Sequence, residues 1–327
     1  MMNTLLQIED LKTWFPIRRG VFSRTVGHVR AVDGVSLRIG QGESLGLVGE
    51  SGCGKTTLAR TVLGLDPSHS GSVVFDGTEL IGKSEGELRP LRQDLQVIFQ
   101  DPFASLNPRM TVSGIVTEGM VQHGLTSPRE RDAAATKLLE EVGMNEDALH
   151  RYPHEFSGGQ RQRISVARAI SLKPKLVICD EAVSALDVSV QAQVINLLMN
   201  LREKHGLAYL FISHDLSVVR HISDKIAVMY LGRIVEYGAS REVIDRPRHP
   251  YTQALVSAIP RVGVEKKGRI VLEGDVPSPS RPPSGCRFHP RCPFAIDRCR
   301  EEEPPLENVP DDDTRLAACI RVGEIDG

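Results

Sequence analysis

The sequence predicts an α/β protein with a mainly parallel sheet, and three observations indicate this fold class. Short apolar segments alternate with helix-like segments from residue 1 to about residue 245, which is the pattern of strands and crossover helices in layered α/β folds. A glycine-rich loop, GESGCGKT, lies between a predicted strand and a predicted helix. A later apolar segment, LVICDE, ends in two carboxylates. Because 327 residues exceed the usual size of one core, we expect a large domain and a smaller one.

Composition excludes several classes of protein. A content of 40% hydrophobic and 25% charged residues is ordinary for a globular chain, and a formal net charge of −2 disfavours a general nucleic-acid binder. No apolar run approaches the roughly 18–20 residues that cross a bilayer, and the N-terminus lacks the features of a signal peptide. We therefore expect a cytoplasmic protein whose six cysteines are thiols or metal ligands rather than disulfides.

The first predicted elements are a strand and a helix on either side of the glycine-rich loop. Residues 43–49 are an apolar segment that predicts a buried strand. Residues 56–65 are expected to be helical, because Leu58, Val62 and Leu65 recur at i, i+4 and i+7 on one face.

The loop between them matches the P-loop pattern G-x-x-x-x-G-K-[ST]. Such a loop wraps backbone N–H groups around phosphate oxygens at the positive end of a helix. Lys55 is expected to bind the β- and γ-phosphates, and Thr56 to be a hydroxyl ligand of Mg²⁺. A chance glycine turn is the alternative, and the strand-loop-helix context disfavours it. The predicted nucleotide-binding residues of the loop are Gly49, Glu50, Ser51, Gly52, Cys53, Gly54, Lys55, Thr56 and Thr57.

Residues from about 100 to 170 predict a helical insertion. The segment RERDAAATKLLEEVG is helix-like, whereas DPFASLNPR is loop-like. The segment FSGGQRQR opens a further helix, because Ile164, Ala167 and Ile170 lie on one face at i, i+3 and i+6.

The start of that helix predicts a second phosphate cradle. Ser157 and the N–H groups of Gly158 and Gly159 could bind phosphate oxygens. Since the P-loop and Mg²⁺ already cover one side of a nucleotide, this cradle would have to come from another molecule. A two-fold dimer, with each ATP held between the P-loop of one chain and the SGGQ helix of the other, satisfies this condition.

Three further apolar segments predict buried strands, and a hairpin follows them. Gly232-Arg233 indicates a turn into the segment IVEYG, and we expect this hairpin at the edge of the sheet. The predicted strands are residues 175–181, 207–213 and 225–231.

The first of these strands ends in the candidate catalytic carboxylates. Asp180 is expected to orient Mg²⁺ and its waters, and Glu181 to polarise the attacking water as a general base. Two solvated acids at a strand end are the alternative, and the presence of a P-loop favours the catalytic interpretation.

Taken together, these motifs resemble the nucleotide-binding subunit of an ABC transporter. The chain also contains IFQDP, SALD and ISHD in the order found in that family. The resemblance implies that Gln100 senses Mg²⁺ and nucleotide and touches the transmembrane partner, that Asp187 lies at a dimer interface, and that His214 reaches the γ-phosphate. It also implies an aromatic side chain on the adenine, for which Phe15 fits best and Trp14 is the alternative.

The resemblance completes the set of site residues. The fold it implies is a P-loop NTPase of the ABC type with a helical subdomain. The family usually has proline after the catalytic glutamate, where this chain has Ala182; alanine should only loosen that turn, and Glu181 itself is present. The implied nucleotide contacts outside the P-loop are Phe15, Gln100, Ser157, Gly158, Gly159, Gln160 and Asp187, the implied Mg²⁺ ligands are Thr56, Gln100 and Asp180, and the implied catalytic residues are Glu181 and His214.

Longer segments, such as QVIFQDPFASLNPRMTV and HPYTQALVSAIP, resemble the ATPases of oligopeptide/dipeptide importers, and the long N-terminal segment resembles the F-type subunit. This resemblance implies ATP hydrolysis at the cytoplasmic face of the membrane. The implied partners are two transmembrane permease subunits, a second and non-identical ABC ATPase, and indirectly an extracytoplasmic substrate-binding protein, with no nucleic acid.

Three other functions are alternatives to peptide import. The first is import of nickel chelates or glutathione, which relatives in the same family carry out. A soluble ABC ATPase of DNA maintenance is disfavoured, because about 80 residues separate Gln100 from Asp180 and no coiled coil interrupts the motifs. A subunit that binds ATP without hydrolysing it is disfavoured by the intact catalytic motifs.

The expected domains are residues 1–259, with a helical subdomain at about 101–172, and residues 260–327.

The C-terminal region predicts a small cysteine-containing appendage. Nine of the twenty prolines lie between residues 277 and 310, which disfavours long helices and central strands. Four thiolates suffice for zinc or for an iron–sulfur cluster, and spacings of 5, 6 and 19 residues do not fit paired zinc knuckles. Resemblance to similar importer ATPases implies a [4Fe–4S] cluster, with zinc or free thiols as alternatives. The implied ligands are Cys286, Cys292, Cys299 and Cys319, with His289 as a bystander.

Overall fold

A computed structural model describes residues 4–20, 22–259, 270–310 and 312–325. None of the helices in these ranges has the length and apolar character needed to cross a membrane. The strands in chain order are β1 (Thr4–Arg19), β2 (Arg24–Gly40), β3 (Ser44–Val48), β4 (Ser70–Phe75), β5 (Thr78–Glu79), β6 (Leu95–Ile98), β7 (Leu176–Asp180), β8 (Ala208–Ser213), β9 (Lys225–Tyr230), β10 (Arg233–Ala239), β11 (Glu307–Val309) and β12 (Asp312–Ala317). The α-helices are α1 (Lys55–Val62), α2 (Glu85–Leu91), α3 (Pro102–Ser105), α4 (Val112–Gln122), α5 (Arg131–Glu141), α6 (Gly158–Ile170), α7 (Val188–His205), α8 (Leu216–Ile222), α9 (Ser240–Asp245), α10 (Pro250–Ser257) and α11 (Arg298–Glu301).

The chain divides into two compact units. The first unit consists of Gly40–Glu43 and Gly82–Ile212, and the second consists of Thr4–Ile39, Ser44–Ile81 and the described residues from Ser213 onward. The predicted boundary between residues 259 and 260 borders a stretch, 260–269, that lies outside the described residues, so the predicted domain limits stay a prediction.

Parallel strands form the centre of the first unit, in the order β8-β7-β6. Leu176 of β7 pairs with Leu95 on one side and with Ala208 on the other. Every residue of β7 and β8 is buried, as expected for parallel strands whose two faces are both covered. Both strands lie within the predicted segments, because uninterrupted apolar runs bounded by polar residues carry most of the strand signal.

The helices between β6 and β7 correspond to the predicted insertion. α4 packs against α5 and α6, and α6 buries Ile164, Ala167 and Ile170 on its inner face, as predicted. The segment DPFASLNPR, expected to be a loop, contains the one-turn helix α3. Asp101 starts this turn by accepting a hydrogen bond from the Phe103 N–H at 2.7 Å, and Pro102 occupies the first helical position, where its missing N–H costs nothing.

The second unit contains an antiparallel sheet, in the order β2-β1-β4-β5, and the strands β11-β12-β10-β9-β3. β3 pairs in parallel with β9, and β9 and β10 form the predicted hairpin. The expectation that this hairpin is at the sheet edge is wrong. β12 pairs antiparallel with β10, with Glu236 opposite Ala317, and β11 follows β12.

A buried ion pair holds β12 against β10. Arg315 Nη2 donates to Glu236 Oε1 at 2.9 Å and to the Arg246 carbonyl at 2.7 Å, with exposed side-chain fractions of 2% for Arg315 and 0% for Glu236. Glu236 also accepts the backbone N–H groups of Arg248 and His249, at 3.0 and 2.8 Å. Strand pairing and the buried Arg315–Glu236 ion pair therefore join the C-terminal segment to the sheet. Sequence periodicity reveals neither of these contacts.

Candidate nucleotide-binding and catalytic site

The P-loop joins β3 to α1, as the sequence predicts. A Cβ atom on Gly49 would lie 2.2 Å from the Met229 carbonyl oxygen, and one on Gly54 would lie 2.1 Å from the Ala31 carbonyl oxygen. Gly54 also has a φ of 109°, a conformation that glycine adopts without strain. The two glycines are thus required by the close approach of neighbouring backbone, in addition to any phosphate contact.

The ammonium of Lys55 lies inside the loop. Lys55 is 4% exposed, and its Nζ donates to the carbonyl oxygens of Gly49 and Glu50 at 2.8 and 3.1 Å. Thr56 follows Lys55 on the first turn of α1 and is exposed. A cation, a hydroxyl and a helix N-terminus therefore converge, and together they form a site suited to phosphate oxygens. Cys53 is buried in the loop, and burial raises the pKa of its thiol, so its side chain packs in the protein interior.

Distant segments of the second unit support the P-loop. The Glu50 N–H donates to the Tyr251 hydroxyl at 2.8 Å, and the Gly232 N–H donates to the Cys53 carbonyl at 2.9 Å. Arg291 donates to both carboxylate oxygens of Glu50, at 2.7 and 3.1 Å. Sequence reasoning did not identify these partners, because they are separated from the loop by about 200 residues and follow no local pattern.

The aromatic side chains of β1 differ in their surroundings. The Trp14 ring stacks on His69, with centroids 4.3 Å apart, and its Nε1 donates to Asp33 Oδ1 at 2.9 Å. The Arg30 guanidinium lies 4.9 Å from the same ring. The indole is therefore already engaged within the protein, and half-buried Phe15 stays the prediction for the adenine contact.

The predicted catalytic carboxylates end β7 in the first unit. Asp180 is the last strand residue and is 7% exposed. Glu181 has a φ of +48°, a left-handed conformation that costs energy for any residue other than glycine. Its backbone is held by hydrogen bonds from its N–H to the Ile212 carbonyl at 3.0 Å and from the Ser184 N–H and hydroxyl to its own carbonyl at 3.1 and 3.0 Å.

Gln100 lies beside Glu181. Its Nε2 donates to Glu181 Oε2 at 2.8 Å. β6 and β7 are adjacent parallel strands, so the residues that follow their carboxyl ends meet at one edge of the sheet. The structure thus brings together two residues that the sequence predicts separately.

The SGGQ segment starts α6 with a capping box. Ser157 Oγ accepts the Gln160 N–H at 3.4 Å, and Gln160 Oε1 accepts the Ser157 N–H at 3.0 Å. A Cβ atom on Gly159 would lie 2.5 Å from Val190 Cγ1, whereas one on Gly158 would have no atom closer than 3.6 Å. Gly159 is therefore required for the packing of α6 on α7, a role that the phosphate hypothesis did not include.

The remaining motif residues lie at helix starts. Asp187 caps α7 by accepting the Ser189 hydroxyl and the Val190 N–H at 2.7 and 3.0 Å, and these hydrogen bonds lower the pKa of its carboxyl. His214 is exposed and directly follows β8. Asp215 then caps α8 by accepting the Ser217 N–H at 2.8 Å. The expected roles of Asp187 and His214 toward a nucleotide stay predictions.

The four cysteines of the appendage line one cavity of about 20 Å³. Burial is the main cause that raises the pKa of Cys286 and of Cys292 to about 11, and the neighbouring thiols contribute to the same rise. His289 Nδ1 lies 2.9 Å from the Cys286 carbonyl oxygen. Across the described ranges, no group of three or more His, Cys, Asp or Glu side chains is arranged to hold a metal ion. The four cysteines predicted as ligands thus line the same cavity, and their role as ligands of a metal or a cluster stays a prediction.

Comparison with known proteins gives two family matches. A family described as ABC transporter matches residues 32–184, and one described as the oligopeptide/dipeptide transporter C-terminal region matches residues 235–299. The chain is 54% identical over 311 residues to the oligopeptide transport ATP-binding protein AppF of Bacillus subtilis (strain 168), covering 94% of each. It is 52% identical over 311 residues to OppF of Escherichia coli (strain K12), covering 93% of each. A dimeric post-hydrolysis ATP-binding cassette, MJ0796, solved with ADP and Pi, is similar with a TM-score of 0.65 and 25% identity, over 72% of this chain and 99% of that one.

Proposed function

The chain belongs to the family of ATP-binding subunits of oligopeptide and dipeptide ABC transporters, and from this membership we infer that it hydrolyses ATP to energise peptide import. The observation that carries this function is the P-loop, in which Lys55 is directed into a glycine-lined cradle at the start of α1. Peptide import is favoured over nickel-chelate or glutathione import, because both relatives named above transport oligopeptides.

Each motif residue has a proposed role in hydrolysis. Lys55 binds the β- and γ-phosphates, and Glu181 takes the proton of the attacking water as a general base. Gln100 holds the Glu181 carboxylate, and the 2.8 Å hydrogen bond between them supports this role. His214 contacts the γ-phosphate, and Phe15 stacks on the adenine.

The proposed Mg²⁺ ligands are Thr56, Gln100 and Asp180. Their hydroxyl, amide and carboxylate oxygens are the hard donors that Mg²⁺ prefers, so the donor set fits this ion. When bound, Mg²⁺ supplies charge neutralisation for the phosphates.

The proposed working unit contains two ATPase chains. Ser157, Gly158 and Gly159 start a 13-residue helix and contact the nucleotide bound to the P-loop of the opposite chain, where Asp187 also lies. The dimeric state of the similar cassette MJ0796 supports this arrangement. The partner is a non-identical ATPase, and the pair binds two permease subunits at the cytoplasmic face of the membrane. An extracytoplasmic receptor delivers the peptide.

The proposed ligand of Cys286, Cys292, Cys299 and Cys319 is a [4Fe–4S] cluster, with a single zinc ion as the alternative. The four cysteines line one cavity, which supports a shared ligand, and their side chains would have to close around it, because no group of three or more His, Cys, Asp or Glu in the described ranges is arranged to hold a metal ion. Thiols whose pKa is raised to about 11 are protonated at neutral pH, and a bound metal would deprotonate them.

Purification of the tagged chain from membranes tests the proposed function. We expect two permease subunits and a second ATPase to copurify, and the complex to hydrolyse ATP faster when the peptide-loaded receptor is added. The ligand of that receptor identifies the transported class. A chain that copurifies with no permease, or a complete complex that hydrolyses no ATP, would contradict the proposal.

A further inference from the structure

Two arginines of the appendage reach the nucleotide motifs of the second unit. Arg287 and Arg291 both lie between Cys286 and Cys292 in the sequence. Arg287 is 8% exposed and the side chain of Arg291 is 7% exposed. Each pairs with an acidic side chain that belongs to, or supports, the nucleotide-binding segments. Buried guanidinium groups are costly to desolvate, so their partners must fix them closely.

Arg291 holds the first variable residue of the P-loop. Its guanidinium donates to Glu50 Oε2 and Oε1 at 2.7 and 3.1 Å, a bidentate pair that fixes orientation as well as distance. The backbone of Glu50 is fixed at the same time. Its N–H donates to the Tyr251 hydroxyl at 2.8 Å, and its carbonyl accepts Lys55 Nζ at 3.1 Å. The ion pair therefore fixes a residue that directly contacts the phosphate-binding lysine.

Arg287 holds the turn that lies against the same loop. It donates to the Leu231 carbonyl at 2.6 Å and to Asp33. The next residue, Gly232, donates its N–H to the Cys53 carbonyl at 2.9 Å. Asp33 also accepts the indole N–H of Trp14. The second arginine thus supports the P-loop from the β9–β10 turn.

Charge gives Arg291 a further role. The Glu50 side chain is 28% exposed, and an unneutralised carboxylate in a phosphate-binding loop would repel the anionic nucleotide. Arg291 compensates this charge from within the protein.

We propose that Arg291, assisted by Arg287, is a positioning residue that sets the ATP affinity of the P-loop from the cysteine-containing segment. The proposal rests on the ATP-binding function proposed above. It predicts that Arg291→Gln weakens ATP binding by about 10-fold, because Glu50 then loses its bidentate partner and keeps its charge. We expect KM for ATP to rise in proportion while kcat changes little.

The test measures ATP affinity of the full chain by titration calorimetry, in parallel with kcat and KM of the reconstituted complex. Arg298→Gln is the matched control, because this exposed arginine of the same segment pairs with Glu302 at 3.0 and 2.8 Å and touches no nucleotide motif. Its ATP affinity should equal that of the unsubstituted chain. The double variant Glu50→Gln, Arg291→Gln should bind ATP more tightly than Arg291→Gln alone, since the repelling charge is removed.

Arg291→Lys provides a second variant if the glutamine variant does not fold. Lysine keeps the charge but loses the bidentate geometry, so its ATP affinity should lie between those of the unsubstituted chain and Arg291→Gln. Unchanged affinity in both variants would overturn the inference, and so would a loss that the double variant does not relieve. An unsubstituted chain that binds no ATP would instead contradict the proposed function.

Discussion

Gln100 and Glu181, which are 81 residues apart in sequence, are joined by a hydrogen bond of 2.8 Å from Nε2 to Oε2. The bond exists because β6 and β7 are neighbouring parallel strands whose carboxyl ends share one edge. It fixes the direction of a carboxylate whose backbone is also held in a left-handed conformation. In its proposed role as the general base, a carboxylate held in this way would require little reorganisation when a water molecule is deprotonated.

Glu181→Gln is expected to keep ATP binding and to reduce turnover by about 10²-fold or more, the range of general-base catalysis. The amide is nearly the same size as the carboxylate but cannot accept a proton. ATP affinity and steady-state phosphate release measure the two effects separately. Turnover equal to that of the unsubstituted chain would refute the assignment of Glu181.

Two substitutions of Gln100 test separately how the placement of the Glu181 carboxylate and a negative charge beside it affect hydrolysis. Gln100→Ala removes the donor to Glu181 and should lower kcat by about 10-fold, because the carboxylate is then less well placed. Gln100→Glu places two carboxylates side by side and should lower kcat further through repulsion. Phosphate release by the reconstituted complex gives both values. If the glutamate variant were the faster of the two, the proposed contact would not operate during hydrolysis.

Gly159→Ala is expected to destabilise the chain by about 1–3 kcal/mol, because the added methyl group would overlap Val190 of α7. Gly158→Ala is the matched control, since its methyl group would make an ordinary contact at 3.6 Å. Urea denaturation of both variants measures the difference. Equal stability of the two would show that the tight α6–α7 packing does not constrain this glycine.

The sequence predicts those elements whose signals are local. The strand before the P-loop and the acid-terminated β7 are predicted to within one residue, because apolar runs end there in glycine or carboxylates. The helix at Lys55 is predicted to within one residue at its start, but it ends at Val62 rather than at residue 65, and Leu65, expected on its packed face, is exposed. The hairpin was wrongly expected at the sheet edge, because β12 comes from a segment about 80 residues later in the chain. The pairing of Glu50 with Arg291, 241 residues apart, has no periodicity by which it could be found.

Cys286→Ser tests the proposed ligand of the cysteine set. Anaerobically purified unsubstituted chain should show visible absorbance and about four irons per chain, which is the content of a [4Fe–4S] cluster. The serine variant should lose both, because serine is a poor ligand for iron. It should also bind ATP more weakly, since Arg287 directly follows Cys286 and Arg291 directly precedes Cys292. A colourless unsubstituted chain with one zinc ion would decide for zinc, and one with no metal would leave the cysteines as free thiols.

Arg315→Met is expected to destabilise the chain by about 3–5 kcal/mol, because it leaves the buried Glu236 carboxylate without its counter-charge. The matched control is Arg298→Met. Arg298 pairs with Glu302 at 2.8 Å and its side chain is 62% exposed, so its loss should change the stability little. The double variant Arg315→Met, Glu236→Gln should recover part of the loss, since no uncompensated buried charge then remains and the amide oxygen still accepts one of the two backbone N–H groups that bind the carboxylate.

The pH dependence of the Arg315→Met variant distinguishes a lost ion pair from lost packing. Burial raises the pKa of Glu236 even beside Arg315, and removal of Arg315 would raise it further. A carboxyl group with a higher pKa in the folded chain stabilises that chain below its unfolded pKa and loses this contribution as pH rises through the folded value. Relative to the unsubstituted chain, the variant should therefore lose more stability at about pH 8 than at about pH 5. If the variant lost the same amount of stability at both pH values, Arg315 would hold β12 through the packing of its aliphatic stem.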